Sequence, residues 1–167
     1  MGASGSNPSR DADPTSASHS RPDCPEGVRK RQILIAEDNR ADVFLIREAL
    51  QRARIDAEIY VAEDGEQAIR YLERAGRQAT PVPDLVLLDI NLPRYKGGDI
   101  LRQLRRGGPS AGAIVMVVTS SNSPADREEM NGLGADAYFR KPSDYGEFMK
   151  LGSIVRDLLE RQQSPSA

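Results

Sequence analysis

Chemically useful side chains follow four short apolar segments of this chain. Glu37 and Asp38 come directly after the first segment and Asp89 after the second, while Thr119 ends the third and Lys141 comes just after the fourth. Such short apolar runs are typical of buried strands, and open parallel sheets bind ligands at the carboxyl ends of their strands. Three carboxylates, a hydroxyl and a lysine at one such edge would suit a divalent cation and a phosphoryl group carried on an aspartate.

The acidic pair alone has two explanations. Two adjacent carboxylates favour a hard divalent cation such as Mg²⁺, which prefers oxygen ligands, but Asp38 and Asn39 could equally cap the helix that follows them. Asp89 favours the metal, because three carboxylates brought to one edge would repel each other without a cation. The sequence therefore predicts a magnesium site that includes Glu37, Asp38 and Asp89.

Asp89 is the candidate nucleophile, since a carboxylate can attack phosphorus to form an acyl phosphate. The developing charge needs fixed donors, which Thr119 and Lys141 would supply. Each also has an ordinary explanation, as a strand-terminal threonine and an exposed lysine. Pro142 follows Lys141, and a cis peptide bond there would aim the lysine over the sheet edge.

Strands and helices alternate from Arg31 onward. The predicted strands are Gln32–Ala36, Ala57–Val61, Leu85–Asp89, Ala113–Thr119 and Ala137–Phe139. The predicted helices are Arg40–Ala53, a segment that starts after Gly65 and stops at Gly76, Gly97–Arg106, a segment from Pro124 to Gly132 or Gly134, and Asp144–Arg161. The apolar faces expected to be buried are Val43, Phe44, Ile46, Ala49 and Leu50 in the first helix, and Phe148, Leu151, Ile154, Val155, Leu158 and Leu159 in the last.

This alternation predicts an α/β fold in which helices cover both faces of a parallel sheet. Crossover connections are right-handed, which favours a flavodoxin-like (βα)5 doubly wound sheet with strand order 2-1-3-4-5. The first and third strands are neighbours in that order. We therefore expect Glu37, Asp38 and Asp89 to converge.

Composition restricts the class of protein. The chain has 167 residues, a net charge of -2 and one cysteine, Cys24. We expect one domain, no nucleic acid as a partner, no disulfide framework, and a cytoplasmic location. No apolar stretch approaches the roughly 18 residues of a membrane span, and the N-terminus lacks the apolar core of a signal peptide.

The two ends of the chain differ from its centre. Residues 1–30 are rich in Ser, Pro, Asp, Gly and Ala, a composition that cannot bury enough apolar surface to order itself. The sequence predicts a disordered N-terminal extension over 1–30, a folded domain over 31–162 and a flexible tail over 163–167. The extension could be a docking or targeting segment or simply a tolerated addition.

The central part of the chain resembles the receiver domain of two-component response regulators. The resemblance rests on Ala-Glu-Asp-Asn at 36–39, Leu-Leu-Asp-Ile-Asn-Leu-Pro at 87–93 with Gly97, Thr-Ser-Ser at 119–121, Gly-Ala-Asp-Ala-Tyr at 134–138 and Lys-Pro at 141–142. No single motif is specific, but all five in this order are. The motifs Asn91-Leu92-Pro93 and Lys141-Pro142-Ser143 are similar to those of stand-alone regulators that partner bacterial phytochrome-type sensor kinases.

The resemblance implies a role for each matching residue. These roles are Asp89 as phosphoacceptor, Asp38 as direct magnesium ligand, Glu37 as the acid that reaches the metal through water, Asn91 as a backbone-carbonyl ligand, Lys141 as the family's lysine, and Thr119 and Tyr138 as the switch pair. Glu37 replaces the commoner aspartate, and Arg40 stands where proline is frequent. Tyr138 could also be an ordinary packing residue.

The implied function is that of a single-domain response regulator in a phosphorelay. It would accept a phosphoryl group from a sensor histidine kinase on Asp89 and change its protein-interaction surface. It would be a phosphoacceptor switch, with self-catalysed phosphotransfer and autodephosphorylation only. We expect no DNA-binding or catalytic module after the fifth helix, so output would pass through protein contacts. A homodimer could form through the fourth helix, fifth strand and fifth helix.

Two other classes of protein share parts of this pattern. Phosphatases with an aspartate nucleophile carry a second aspartate two residues later, where this chain has Asn91. A flavodoxin-type nucleotide- or flavin-binding domain would need a glycine- or hydroxyl-rich phosphate loop after its first strand. Glu37-Asp38-Asn39-Arg40 occupies that place and would repel a phosphate that lacks magnesium.

Overall fold

Five parallel strands form the centre of the molecule. The computed structural model describes residues 29–77 and 79–163. Its strands are β1 (Arg31–Ala36), β2 (Ala57–Ala62), β3 (Leu85–Leu88), β4 (Ile114–Thr119) and β5 (Ala137–Arg140). They lie in the order β2-β1-β3-β4-β5, and every pair is parallel. The predicted flavodoxin-like order is confirmed.

A helix follows each strand. The helices are α1 (Arg40–Arg52), α2 (Gly65–Arg74), α3 (Gly97–Arg105), α4 (Pro124–Gly132) and α5 (Tyr145–Gln163). Side chains cap four of them, because the side-chain oxygens of Asn39, Asp64, Ser123 and Asp144 accept hydrogen bonds from backbone N–H groups in the first turn. These caps satisfy donors that have no partner inside the helix. Asn39 is one of the two residues, Asp38 and Asn39, that the sequence offers as a cap for α1.

The sheet separates two apolar cores. One core packs α2, α3 and α4 against one face, and the other packs α1 and α5 against the opposite face. All four residues of β3 are buried, as expected for a strand covered on both faces. This double cover fixes the central strands, and therefore the residues that follow them.

Two predicted core residues are exposed instead. Phe44 is 61% exposed and Ile154 is 37% exposed, so their assignment to buried faces is wrong. Phe44 precedes the buried Ile46 by two residues, which is about 200° around a helix. Ile154 precedes the buried Val155 by one residue, about 100° around α5. Both side chains therefore leave the apolar stripe of their helix.

The described part of the chain begins with an ion pair between Arg29 and Asp84, near the amino-terminal ends of β1 and β3. Both guanidinium nitrogens at the end of Arg29 donate to the buried Asp84, at 3.1 and 2.6 Å, and the Gln32 N–H donates to the same carboxylate at 2.8 Å. Ordered contacts thus start two residues before the predicted boundary at Arg31. The predicted disorder of residues 1–28 and of the tail after Gln163 lies outside the described residues and stays a prediction.

The helices are too short or too polar to cross a bilayer wherever the structure describes them, that is, within 29–77 and 79–163.

A close helix contact fixes α1 against α5. A Cβ atom added at Gly152 would lie 2.2 Å from the carbonyl oxygen of Ala49 and 2.9 Å from Cβ of Ala53. Only glycine fits at this point of α5. The contact matters for the site because α1 starts directly after the acidic pair.

We predict that Gly152→Ala lowers the free energy of unfolding by about 1–3 kcal/mol, because the added methyl group must push the two helices apart. Gly132→Ala in α4 is the matched control, since a Cβ there meets nothing within 4 Å. It should change stability by less than about 1 kcal/mol. Urea unfolding followed by circular dichroism measures both, and equal midpoints for the two variants would contradict the packing described.

Candidate functional site

Three carboxylates converge at the carboxyl edge of the sheet. The register pairs Ala36 of β1 with Leu88 of β3, so Glu37 and Asp89 leave adjacent strands at the same level. The Asp89 N–H donates to the Ala36 carbonyl at 3.0 Å, which extends the ladder to the site itself. Carboxylate oxygens of Glu37, Asp38 and Asp89 lie within 4.8 Å of one another. The predicted convergence is confirmed.

The burial of this acidic cluster suits a cation. Glu37 is 2% exposed and Asp89 is 7% exposed, while Asp38 faces solvent. Two buried carboxylates this close repel strongly in a medium of low dielectric, and the exposed one leaves an entry path. Three hard oxygen donors are the ligand type that a small divalent cation prefers. The donor set therefore fits a divalent metal site.

Lys141 lies inside this cluster. Its Nζ donates to Glu37 at 2.5 Å and to Asp42 at 2.7 Å, and it lies 3.5 Å from Asp89. Only 9% of its side chain is exposed, so the alternative of an ordinary surface lysine is wrong. The suggested cis bond at Pro142 is also wrong, since the peptide bonds described are all trans.

The backbone explains how Lys141 reaches the site without that bond. The Lys141 N–H donates to the Thr119 carbonyl at 2.8 Å, which keeps the chain after β5 beside β4. From there the side chain extends across the sheet edge to carboxylates that follow β1 and begin α1.

Sequence reasoning did not identify Asp42 as a site residue. Asp42 lies in the first turn of α1, where an acidic residue is usual because it interacts favourably with the helix dipole. Nothing in that pattern points to Lys141, which is 99 residues away in the chain. Only the fold brings the two side chains together.

The surroundings of the cluster raise the pKa values of both Glu37 and Lys141, for different reasons. Burial raises the pKa of Glu37 to about 7, and the charge of Asp89 adds to the rise, while hydrogen bonds from Lys141 and from the Asn39 N–H oppose it. Burial alone would lower the pKa of Lys141, but hydrogen bonds to Asp42 and Glu37 and the charge of Asp89 raise it above its usual value. Lys141 is therefore an ammonium at neutral pH, whereas Glu37 titrates there.

The loop after β3 folds back on Asp89. The Asn91 N–H lies 3.4 Å from an Asp89 carboxylate oxygen, and the Gly97 N–H donates to the Ile90 carbonyl at 2.9 Å. A Cβ atom at Gly97 would lie 2.7 Å from the Asp89 carbonyl oxygen, so this motif glycine is required by close backbone approach. The role of the Asn91 carbonyl as a metal ligand stays a prediction.

Thr119 ends β4, the neighbour of β3 in the sheet, and Tyr138 lies in β5 at the edge beyond it. Thr119 is fully buried, and its hydroxyl accepts a hydrogen bond from the Ser121 N–H at 3.2 Å. The Tyr138 hydroxyl is buried without a hydrogen-bond partner among the described residues. The guanidinium of Arg127 in α4 lies 4.7 Å from the centre of the Tyr138 ring, a cation–π distance. The role of Tyr138 as a switch residue stays a prediction.

Comparisons with known proteins agree with this geometry. The family model of the response regulator receiver domain matches residues 33–151. Response regulator Rcp1 of Synechocystis sp. is 31% identical over 137 residues, which make up 81% of this chain and 93% of Rcp1.

Solved structures show the same similarity. The crystal structure of Mn²⁺-bound Rcp1 has a TM-score of 0.71 at 30% identity, over 78% of this chain and 95% of that one. The phosphorylated cyanobacterial phytochrome response regulator RcpA has a TM-score of 0.70 at 29% identity, over 83% of this chain and 98% of that one.

We predict that divalent-metal affinity falls roughly tenfold between pH 8 and pH 6. Metal ligands must be deprotonated, and a carboxylate with a pKa of about 7 is largely protonated at pH 6. Isothermal titration of Mg²⁺ at the two pH values measures the effect. Glu37→Gln is the control, which should bind the metal weakly with little dependence on pH. Equal wild-type affinities at pH 6 and pH 8 would contradict the prediction.

Proposed function

The chain belongs to the family of response regulator receiver domains, and we propose that Asp89 is the residue that accepts a phosphoryl group from a sensor histidine kinase. One observation carries this proposal. Asp89 lies in the acidic cluster and 3.5 Å from the Lys141 ammonium, whereas Glu37, the other buried carboxylate there, already accepts hydrogen bonds from Lys141 and from the Asn39 N–H. Receiver domains of this family act as phosphoacceptor switches, with an aspartate as the typical acceptor.

The transfer follows from the chemistry of these groups. An Asp89 oxygen attacks phosphorus, the bond from phosphorus to the kinase imidazole breaks, and the imidazole nitrogen keeps the electron pair. Lys141 donates to the phosphoryl oxygens as negative charge gathers on them, and the Thr119 hydroxyl supplies a second donor.

We propose Mg²⁺ as the resident metal. Asp38 and Asp89 would bind it directly with the Asn91 carbonyl, and Glu37 would reach it through a water molecule. When bound, the cation neutralises carboxylate and phosphoryl charge. The Mn²⁺-bound form of the similar regulator Rcp1 and the hard oxygen donors here support an ion of this class, and Mg²⁺ is the one that usually pairs few carboxylates with phosphate.

We propose a phytochrome-type sensor kinase as the donor, because RcpA is described as a phytochrome response regulator. The exchange would take place in the cytoplasm, in line with the lone Cys24. Self-catalysed phosphotransfer and autodephosphorylation would be the only chemistry, since Asn91 replaces the second aspartate of the phosphatases considered above.

Phosphorylation would change the surface formed by α4, β5 and α5. The phosphoryl group would draw the Thr119 hydroxyl away from the Ser121 N–H and open space beside Tyr138. The Tyr138 hydroxyl is already buried, so the change would give it a new partner and alter its contact with Arg127. A ligand shifts such an equilibrium only by its differential interaction with the two states. The altered face would then favour a second copy of the chain.

We predict that acetyl phosphate with Mg²⁺ adds one phosphoryl group to the intact protein, as measured by mass spectrometry. Asp89→Ala should abolish the mass gain, and Asp38→Ala should abolish it together with metal binding. Asp99→Asn removes a carboxylate on α3 that pairs with Arg102 outside the cluster, and it should label like wild type. A full mass gain in Asp89→Ala would contradict the assignment.

We predict that Thr119→Ala accepts phosphate more slowly and no longer associates on activation. Light scattering with beryllofluoride, which imitates the phosphoryl group, reports the mass of the assembly. Ser120→Ala is the control, because this neighbouring hydroxyl is exposed and should leave association unchanged. An identical response of wild type and Thr119→Ala, or activation-dependent crosslinks that map to α1, would contradict this route.

A further inference from the structure

Asp42 is a site carboxylate without a part in the chemistry described so far. It is not one of the three carboxylates grouped closely enough to hold a metal. Its Oδ2 accepts a hydrogen bond from Lys141 Nζ at 2.7 Å, and only 22% of its side chain is exposed. Ion pairs at this degree of burial are screened much less than surface pairs.

The ammonium of Lys141 is shared unequally. It has three N–H donors, of which one points to Glu37 at 2.5 Å and one to Asp42 at 2.7 Å. Asp89 is 3.5 Å away, which is beyond the usual length of a charge-assisted hydrogen bond. Lys141 therefore lies closer to α1 than to the proposed phosphoacceptor.

The position of Asp42 is fixed by its helix. The Asn39 side chain accepts hydrogen bonds from the N–H groups of Ala41 and Asp42, at 2.9 and 3.3 Å. The same helix is held against α5 at the close contact with Gly152. Asp42 thus presents its carboxylate from a rigid support, whereas Lys141 has a long side chain that can move.

We propose that Asp42 is a positioning residue that holds the Lys141 ammonium away from Asp89 and thereby weakens the hold of the site on a phosphoryl group. This inference rests on the proposed function of Asp89. A phosphoryl group on Asp89 competes with Asp42 for the position of the ammonium, because its remaining N–H donor lies too far from Asp89 while Asp42 holds Nζ at 2.7 Å. The ammonium must leave Asp42, or share its donors, before it can bind the phosphoryl oxygens fully. Asp42 therefore favours the unphosphorylated state.

The test is a titration of beryllofluoride at saturating Mg²⁺, followed by fluorine NMR on the full chain. Asp42→Asn keeps the side-chain shape and removes the charge, so it should bind beryllofluoride roughly tenfold more tightly, the scale of one charge-assisted hydrogen bond. Glu48→Gln is the matched control. It removes the same charge from the same helix, but Glu48 pairs with Tyr145 rather than Lys141, so its affinity should equal that of wild type.

A second readout separates positioning from simple charge repulsion. Crystal structures of wild type and Asp42→Asn without beryllofluoride should show Lys141 Nζ moving to within about 3.2 Å of Asp89 in the variant. Tighter binding without that movement would overturn the proposal, and so would unchanged or weaker binding by a folded Asp42→Asn. If neither wild type nor variant binds beryllofluoride, the proposed function itself fails and this inference fails with it.

Discussion

The structure depends on the balance between four carboxylates and one ammonium at the edge of the sheet. Lys141 lies within 3.5 Å of Glu37, Asp42 and Asp89, and Asp38 belongs to the same cluster as Glu37 and Asp89. One positive charge cannot offset four negative ones, so the site holds an excess of negative charge unless a carboxylate takes up a proton or a cation binds. Burial raises the pKa of Glu37 to about 7, and the charge of Asp89 adds to the rise. We therefore expect metal affinity, phosphoryl affinity and pH response to be linked through the same few atoms.

The fold holds the four carboxylates close together despite their repulsion, because it carries them on well-packed strands and on α1. The two central strands that end in the cluster are buried on both faces, and α1 is capped by Asn39 and packed against α5. Lys141 is the one long, adaptable side chain among them. A phosphoryl group on Asp89 would thus act mainly on Lys141 and Thr119, and through Thr119 on Tyr138. The proposed surface change would therefore begin with movements of these side chains at the sheet edge.

Much of this could be predicted from the sequence, because strand alternation and caps are local signals. The 2-1-3-4-5 order follows from the alternation, and it places Asp89 beside Glu37. The contacts that individual side chains make could not be predicted in this way. The partner of Asp42 lies 99 residues away, and a first-turn acid looks the same whether it caps a helix or binds a lysine. Phe44 is apolar, but it does not point to the same side of α1 as the buried residues. Its exposure is therefore evident only when the structure shows which side of the helix packs against the sheet.

The most direct test of the central claim is a crystal structure of the protein with Mg²⁺ and beryllofluoride. The account predicts beryllium bonded to a carboxylate oxygen of Asp89, with the metal contacting Asp38 and Asp89 and an ammonium hydrogen of Lys141 donated to fluorine. Beryllofluoride on a different carboxylate, or a metal bound outside the cluster of Glu37, Asp38 and Asp89, would contradict it.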